Sequence, residues 1–407
     1  MTNKATPAPA GGPQATGEVI ALQRKAAGWT QRKLATRANV SKSLLGKVEA
    51  GDRPASHALL TACARALRIP VEQLSGQPYS DTRRDERMHR DVDALRTVLR
   101  CYDLPDDLAP RPLPDLAAEV KALTGLRAAA NYGKLAARLP GLLEELIAAA
   151  HHGDPAALAE ANALLVAVLH TAHSLTHRLG YPDLAESIGH KLAYAAERTS
   201  DPLAGGLAQW ARAQSFQSGG DYAHGLRLMD TARAALDDEL RDPSPQALVV
   251  YGSLHLRAVT LASRASNGEL ARDHLTAARE LADRLGTGDQ IRYGLTFGPA
   301  NTTTHEVAAH VELGDGAAAI TAAERWRPSR ATPRTRRGHH HIDLARARLL
   351  HGDRHGALTE LQHARRIAPQ QTRFHPMVRE TTAVLIGLHR RANPDLVSYA
   401  GWLGLVS

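Results

Sequence analysis

Two cysteines in 407 residues, Cys63 and Cys101, are too few for a disulfide framework and sit in no metal-type spacing, so the chain suits a reducing compartment. Aromatic residues make up only 4% of the chain, against a hydrophobic fraction of 43%. Its cores must therefore be built from Ala, Leu and Val, which favours close-packed helices over a β-sandwich. No run approaches the roughly 18 apolar residues that a membrane span requires, and the N-terminus lacks the apolar stretch of a secretion signal. The expected setting is cytoplasmic, with no membrane partner. Also missing are a phosphate-cradling Gly-Lys-Ser/Thr loop, a dinucleotide-binding glycine fingerprint, a Gly-x-Ser-x-Gly elbow and a His-Glu-x-x-His zinc signature. These absences point away from an enzyme, and no cofactor is expected.

Charge is present in excess, and its position matters more than its size. The net charge is +8, and residues 17–76 alone carry ten Lys/Arg and four Asp/Glu, whereas residues 77–407 net only about +1. A basic excess confined to one short segment suits a polyanion partner. The preceding residues, 1–16, hold Pro7, Pro9, Gly11, Gly12 and Pro13 and read as a disordered tail.

Within 17–76 the pattern is helical. Val19, Ile20, Leu22 and Ala26 form an apolar stripe ended by Gly28, and Thr30 is placed to cap a second helix over 31–38. After the break Asn39-Val40-Ser41, Ser41 caps a third helix over 42–50 that stops at Gly51. Two short helices joined by a tight turn can present the N-terminal end of the second to a DNA major groove. Leu59, Ala62, Ala66 and Leu67 supply a fourth helix, and Val71 and Leu74 a short fifth.

The stretch from Gly28 to Gly51 resembles the Cro/C1-type (XRE family) helix-turn-helix. It carries the Thr30-Gln31-x-x-Leu34-Ala35 opening and the Ser41-x-Ser43-x-Leu45-x-x-x-Glu49-x-Gly51 recognition helix. The resemblance implies a double-stranded DNA operator as partner. It implies that Gln31 meets a phosphate, that Lys42, Ser43 and Lys47 face the groove, that Leu44 meets a thymine methyl, and that Arg53 meets the backbone. Thr30 and Ser41, the caps, complete that candidate set. Arg24 and Glu49 match an internal ion bridge of the family, and Leu45 and Val48 are expected in the core. Gly46 breaks the pattern, since glycine inside a helix costs roughly 1 kcal/mol relative to alanine. It either allows close approach to DNA or is merely tolerated.

Residues 77–125 read as connector helices and 126–407 as a helical-repeat body. A turn recurs at Gly153, Gly180, Gly220, Gly268, Gly314 and Gly352, with spacings of 27, 40, 48, 46 and 38. Repetition on this scale marks an α-solenoid, and the Gly-Asp-x-x-x-Ala type of turn resembles the tetratricopeptide repeat. The fold class expected is all-α, with a final helix over 374–391 capping the stack. Aligning the turns brings His170, Ser174, His177 and Arg178, then Trp210, Gln214 and Gln217, then His255, Asn301, Thr304 and Arg346, toward a common concave face, and His305, one helical turn from Asn301, joins the candidate set. Such a face can hold a peptide or small-molecule effector, or line a wet groove with no ligand. The two-part layout resembles a broad group of high-GC bacterial regulators and, at the level of architecture, peptide-sensing regulators. It implies a homodimeric transcription regulator; the alternative is a repeat scaffold for protein partners with incidental DNA contact.

His170, His173 and His177 fall on one helix face, but no Asp, Glu or Cys nearby completes a metal set, and no metal is expected. The arginines from Arg325 to Arg337 read as a solvated loop, followed by His339-His340-His341 as an exposed turn.

Overall fold

The computed structural model describes residues 16–80, 82–152, 157–286, 288–326, 332–389 and 393–405. The expected tail over 1–16 lies outside them except for Thr16, as do the turn at Gly153 and part of the Arg325–Arg337 run. Among the described residues the chain is all-α apart from one short hairpin. It divides into two compact units, one formed by the residues up to Ser75 together with those from Pro376 onward, the other by Gly76–His375.

The first unit opens with five helices: α1 (Thr16–Ala26), α2 (Gln31–Arg37), α3 (Lys42–Glu49), α4 (His57–Leu67) and α5 (Val71–Ser75). Side-chain caps fix their starts. Thr30 Oγ1 accepts from the Lys33 amide, Ser41 Oγ from Leu44 and Ser56 Oγ from Leu59. Ile20, Leu34, Leu45, Val48, Leu59, Leu60, Cys63 and Leu74 fill one core between them. Gly17 lets α1 cross the end of α3, since a Cβ there would collide with the Val48 carbonyl oxygen.

The body begins with α6 (Arg83–Arg100), α7 (Leu113–Ala128) and α8 (Tyr132–His152). The segment expected as a connector is built into the body, because Met88, Val92, Leu95, Leu99, Leu116 and Leu123 all lie in its main core. Five helix pairs follow: α9 (Leu158–Leu179) with α10 (Pro182–Glu197), α11 (Pro202–Gly219) with α12 (Tyr222–Ala234), and α13 (Pro245–Arg264) with α14 (Gly268–Leu285). The last two are α15 (Pro299–Glu312) with α16 (Gly316–Glu324), and α17 (Arg334–Leu350) with α18 (Arg354–Ile367). Each described turn glycine lies between the two helices of a pair, except Gly268, which opens α14. Gly180, Gly220, Gly314 and Gly352 take the left-handed conformation that closes the first helix; at Gly268 that role passes to Ser266 (φ 60°). Asn267, Asp315 and Asp353 then cap the second helix. The first helices α9, α11, α13, α15 and α17 run side by side in that order, and α17 reaches back to α7. The row therefore curls until its ends approach each other, as the hydrogen bond from the Gly133 amide to Gln370 Oε1 (3.1 Å) also shows.

The hairpin, β1 (Gln290–Arg292) with β2 (Leu295–Phe297), interrupts the repeat between α14 and α15. Tyr293 (φ 51°) and Gly294 (φ 70°) form its two-residue turn, the pairing of positive φ values that suits the twist of adjoining strands. Phe297 lies directly over Gly252 of α13, where any side chain would meet the ring.

The expected single helix over 374–391 is broken. After α19 (Pro369–Phe374), His375 is extended (φ −82°, ψ 118°) because the Pro376 ring excludes the helical conformation before it. Then α20 (Pro376–Leu388) and α21 (Pro394–Leu403) belong with the N-terminal helices rather than capping the repeats. Met377 joins the α1–α5 core, and Glu380 accepts the amides of Ala55 (2.7 Å) and Thr16 (3.3 Å). Residues 390–392, inside and just beyond the expected helix, lie outside the described residues.

Candidate functional site

Helix α3 is held by its inner side and free on its outer side. Leu45 and Val48 are buried, while Ser41, Lys42, Ser43 and Lys47 are exposed. A buried ion pair fixes the helix to α1: Arg24 Nε and Nη2 donate to the two Glu49 oxygens at 2.7 and 2.8 Å, and Arg24 Nη1 donates to the Trp29 carbonyl. Burial pushes the Glu49 carboxyl up, but the hydrogen bonds from Arg24 and Gln31 and the charge of Arg24 outweigh it and hold it below the usual carboxylate range. Gln31 Nε2 donates to Glu49 Oε2 at 2.9 Å, so one amide proton of Gln31 is already committed inside the protein. Arg53, half-buried, follows the α3 C-terminus.

In the body, the first helices bring a polar cluster together. Arg257 of α13 lies over the Trp210 ring of α11 at 4.0 Å and donates to Gln217 Oε1 (2.9 Å) and Gln214 Oε1 (3.0 Å). Gln214 also bonds His177 of α9 (3.0 Å), whose Nε2 is 3.0 Å from Ser218 Oγ. His170 meets the Trp210 ring edge-on. Arg127 of α7 donates to the Gly294 carbonyl at the hairpin tip (2.6 Å). Burial, then neighbouring positive charge, lowers Arg127 to about 10, Arg336 of α17 to about 10 and Arg257 to about 9. Burial first, and nearby Arg127 and His173 next, drives His170 well below its ordinary value; burial and Arg336 take His305 of α15 to about 3.

Residues 16–75 match the family model described as "Helix-turn-helix domain". The N-terminal segment is a helix-turn-helix domain. Comparison with curated proteins gives no match. Among solved structures, Bacillus thuringiensis PlcR in complex with the peptide PapR7 and DNA is 16% identical, with 67% of this chain and 96% of that chain covered and a TM-score of 0.26. A point mutant of PrgX is 11% identical, with 78% of this chain and 98% of that chain covered and a TM-score of 0.21. Both scores fall below the level at which one fold is traced onto another.

On the helix-turn-helix domain, Lys42, Ser43 and Lys47 share one exposed surface, whereas Leu44 is half-buried against the core and Gln31 serves Glu49. Thr30 and Ser41 act as caps. In the body, His170, His177, Trp210, Gln214 and Gln217 do come together, with His305 close to Arg257 and Arg336. Ser174 is half-buried on α9. His255 is elsewhere: its Nδ1 lies 3.1 Å from His274 of the paired helix α14. Asn301 and Thr304 are buried in structural bonds, Asn301 Nδ2 to the Thr296 carbonyl and Thr304 Oγ1 to the Ala300 carbonyl. Arg346 is absorbed by Glu312 and Asp343.

Three features escaped the sequence reading. Trp29 carries Lys33 and Arg37 over its ring at 4.9 Å each, extending the basic surface onto α2. Arg334, Arg336 and Arg337 are helical rather than in a loop, and His340 is buried rather than in an exposed turn. That segment of α17 turns polar side chains toward a polar interior, so no apolar period marks it. The third feature is a metal-type grouping: among the described residues His341, Glu360 and His363 are the one set whose ligand atoms lie within 4.8 Å of one another. His341 Nδ1 is 2.7 Å from Glu360 Oε2, and the Arg348 guanidinium, 3.4 Å from Glu360 Oε1, already supplies that carboxylate with a cation.

Proposed function

We propose that the protein is a sequence-specific DNA-binding transcription regulator, in which α3 enters the major groove and the repeat body receives an effector and joins two copies. The observation that carries this reading is the division of α3. Its inner side is locked by Leu45, Val48 and the Arg24–Glu49–Gln31 network, and its outer side offers Lys42, Ser43 and Lys47 with no internal partner to satisfy them. A rigid helix with free lysines is what base-edge recognition requires, since Lys can donate to guanine O6 and N7. Arg53, with Lys33 and Arg37 flanking Trp29, suits the phosphate backbone on either side. A dimer would present two such helices and so demand two half-sites about one helical turn, or a multiple of it, apart.

Selection from random duplex DNA, followed by gel shift on the enriched sequence, tests the reading. A paired half-site motif should emerge, and affinity should fall steeply with salt as Lys/Arg contacts release counterions. Sedimentation of the free protein and of the complex should show two chains per duplex. No enrichment above background at near-physiological salt would overturn the proposal.

A further inference from the structure

Four arginines meet on the inner side of the body without a carboxylate for each. Arg127 (α7), Arg178 (α9), Arg257 (α13) and Arg336 (α17) come from four helices, and Arg178 is close enough to each of the other three to disfavour its charge. Among the described residues none of the four forms an ion pair. Asp289, a carboxylate acting on Arg336, accepts the Ala300 and Asn301 amides. The buried nitrogens Arg127 Nε, Arg257 Nε and His170 Nε2 have no hydrogen-bond partner. Arg127, Arg178 and Arg336 nevertheless keep accessible surface, although they lie on helices that pack within the curled row.

Bringing like charges together away from bulk water destabilises a fold, and Asp289 offsets the charge of Arg336 without forming an ion pair with any of the four. Guanidinium groups match phosphate and carboxylate oxygens in pairs and with charge-assisted strength. One carboxylate, such as a peptide terminus, would leave most of the charge uncompensated. We infer that the inner face of the body, at Arg127, Arg178, Arg257 and Arg336, is a binding site for a small anion carrying two or more charges, a phosphate ester or a polycarboxylate. His177 and His305 sit beside it as neutral hydrogen-bonding groups. As the effector site of a regulator this rests on the function proposed above; as an anion site it does not.

The full chain is melted with sodium pyrophosphate, with sodium citrate, and with sodium chloride at matched ionic strength. A rise in melting temperature with pyrophosphate or citrate beyond the chloride control is expected, and which of the two acts distinguishes phosphate from carboxylate. A Lys42→Ala/Lys47→Ala variant, which removes cations from the DNA-binding helix, should keep the full shift. An Arg178→Gln/Arg336→Gln variant should lose it, with affinity down tenfold or more, while melting at or above wild type without anion because repulsion is relieved. Absence of any shift beyond chloride in wild type, or an undiminished shift in Arg178→Gln/Arg336→Gln, overturns the inference. Should that variant not fold, phenylglyoxal labelling of wild type read by peptide mass spectrometry decides. Arg178 and Arg336 are expected to be protected by the active anion, and equal labelling with and without it overturns the site. Failure of the DNA selection with the anion shift intact would instead remove the regulator reading and leave the site standing.

Discussion

At single positions, two glycines of the helix-turn-helix domain carry opposite consequences. A Cβ at Gly17 would strike the Val48 carbonyl oxygen, whereas one at Gly46 would meet only Gln31 Oε1 at an ordinary 3.8 Å. Gly17→Ala should therefore force α1 off α3 and lower the melting temperature. Gly46→Ala should raise stability by about 1 kcal/mol, since helix propensity improves with no clash. Thermal unfolding of both variants checks the pair, and a destabilised Gly46→Ala would contradict the packing described. The Arg24–Glu49 bridge gives a larger effect. Both side chains are nearly buried, so Arg24→Ala strands a carboxylate and should cost about 3–5 kcal/mol. Glu49 is held below its unfolded value, so its stabilisation is present above the ordinary carboxylate pKa and is lost as pH falls through the lower folded one. Arg24 and Glu49 were legible as a pair because their spacing matched a known helix-turn-helix; the Gln31 bond to Glu49 was not, since a sequence does not show which of two acceptors an amide meets.

Among the elements, α20 carries the least expected role. Met377 lies in the α1–α5 core and Glu380 accepts two of that unit's amides. Met377→Ala should cost about 2–5 kcal/mol, the usual range for emptying a buried site of this size. Faster hydrogen exchange in α4 and α5 would report the loss there; unchanged exchange would contradict it. The periodicity of α20 was readable as a helix, but nothing in its own pattern states which core its apolar side fills, with Glu380 lying 325 residues from Ala55. The repeat turns were legible because left-handed glycines and Asp or Asn caps are local devices. The hairpin was not, because three-residue strands leave no period and Tyr293-Gly294 is a weak turn signal. The N-terminal part of α17 was hidden for a related reason: Arg336 and His339 face a polar interior, so the apolar stripe that marks a helix is missing.

For the whole molecule, the interior of the body sets a pH dependence. His173, buried, and His305, half-buried, each lie beside cations and are lowered to about 3, against about 6.5 in an unfolded chain. Between those values only the unfolded state takes the proton, so stability is full above about 6.5 and falls as pH drops below it, by up to about 1.4 kcal/mol per unit for each such histidine. Melting temperatures from pH 7.5 to 5.0 should decline; a flat profile would contradict the enclosure of these rings. The same scale carries the functional account, in which a basic DNA-reading domain is joined to a repeat body with a cationic interior. Its most direct test is the affinity of Lys42→Ala/Lys47→Ala for the duplex enriched by the wild-type protein, at near-physiological salt. The account predicts at least a tenfold loss, with a shallower salt dependence and an unchanged melting temperature. Wild-type affinity in that variant would contradict the placing of α3 in the groove.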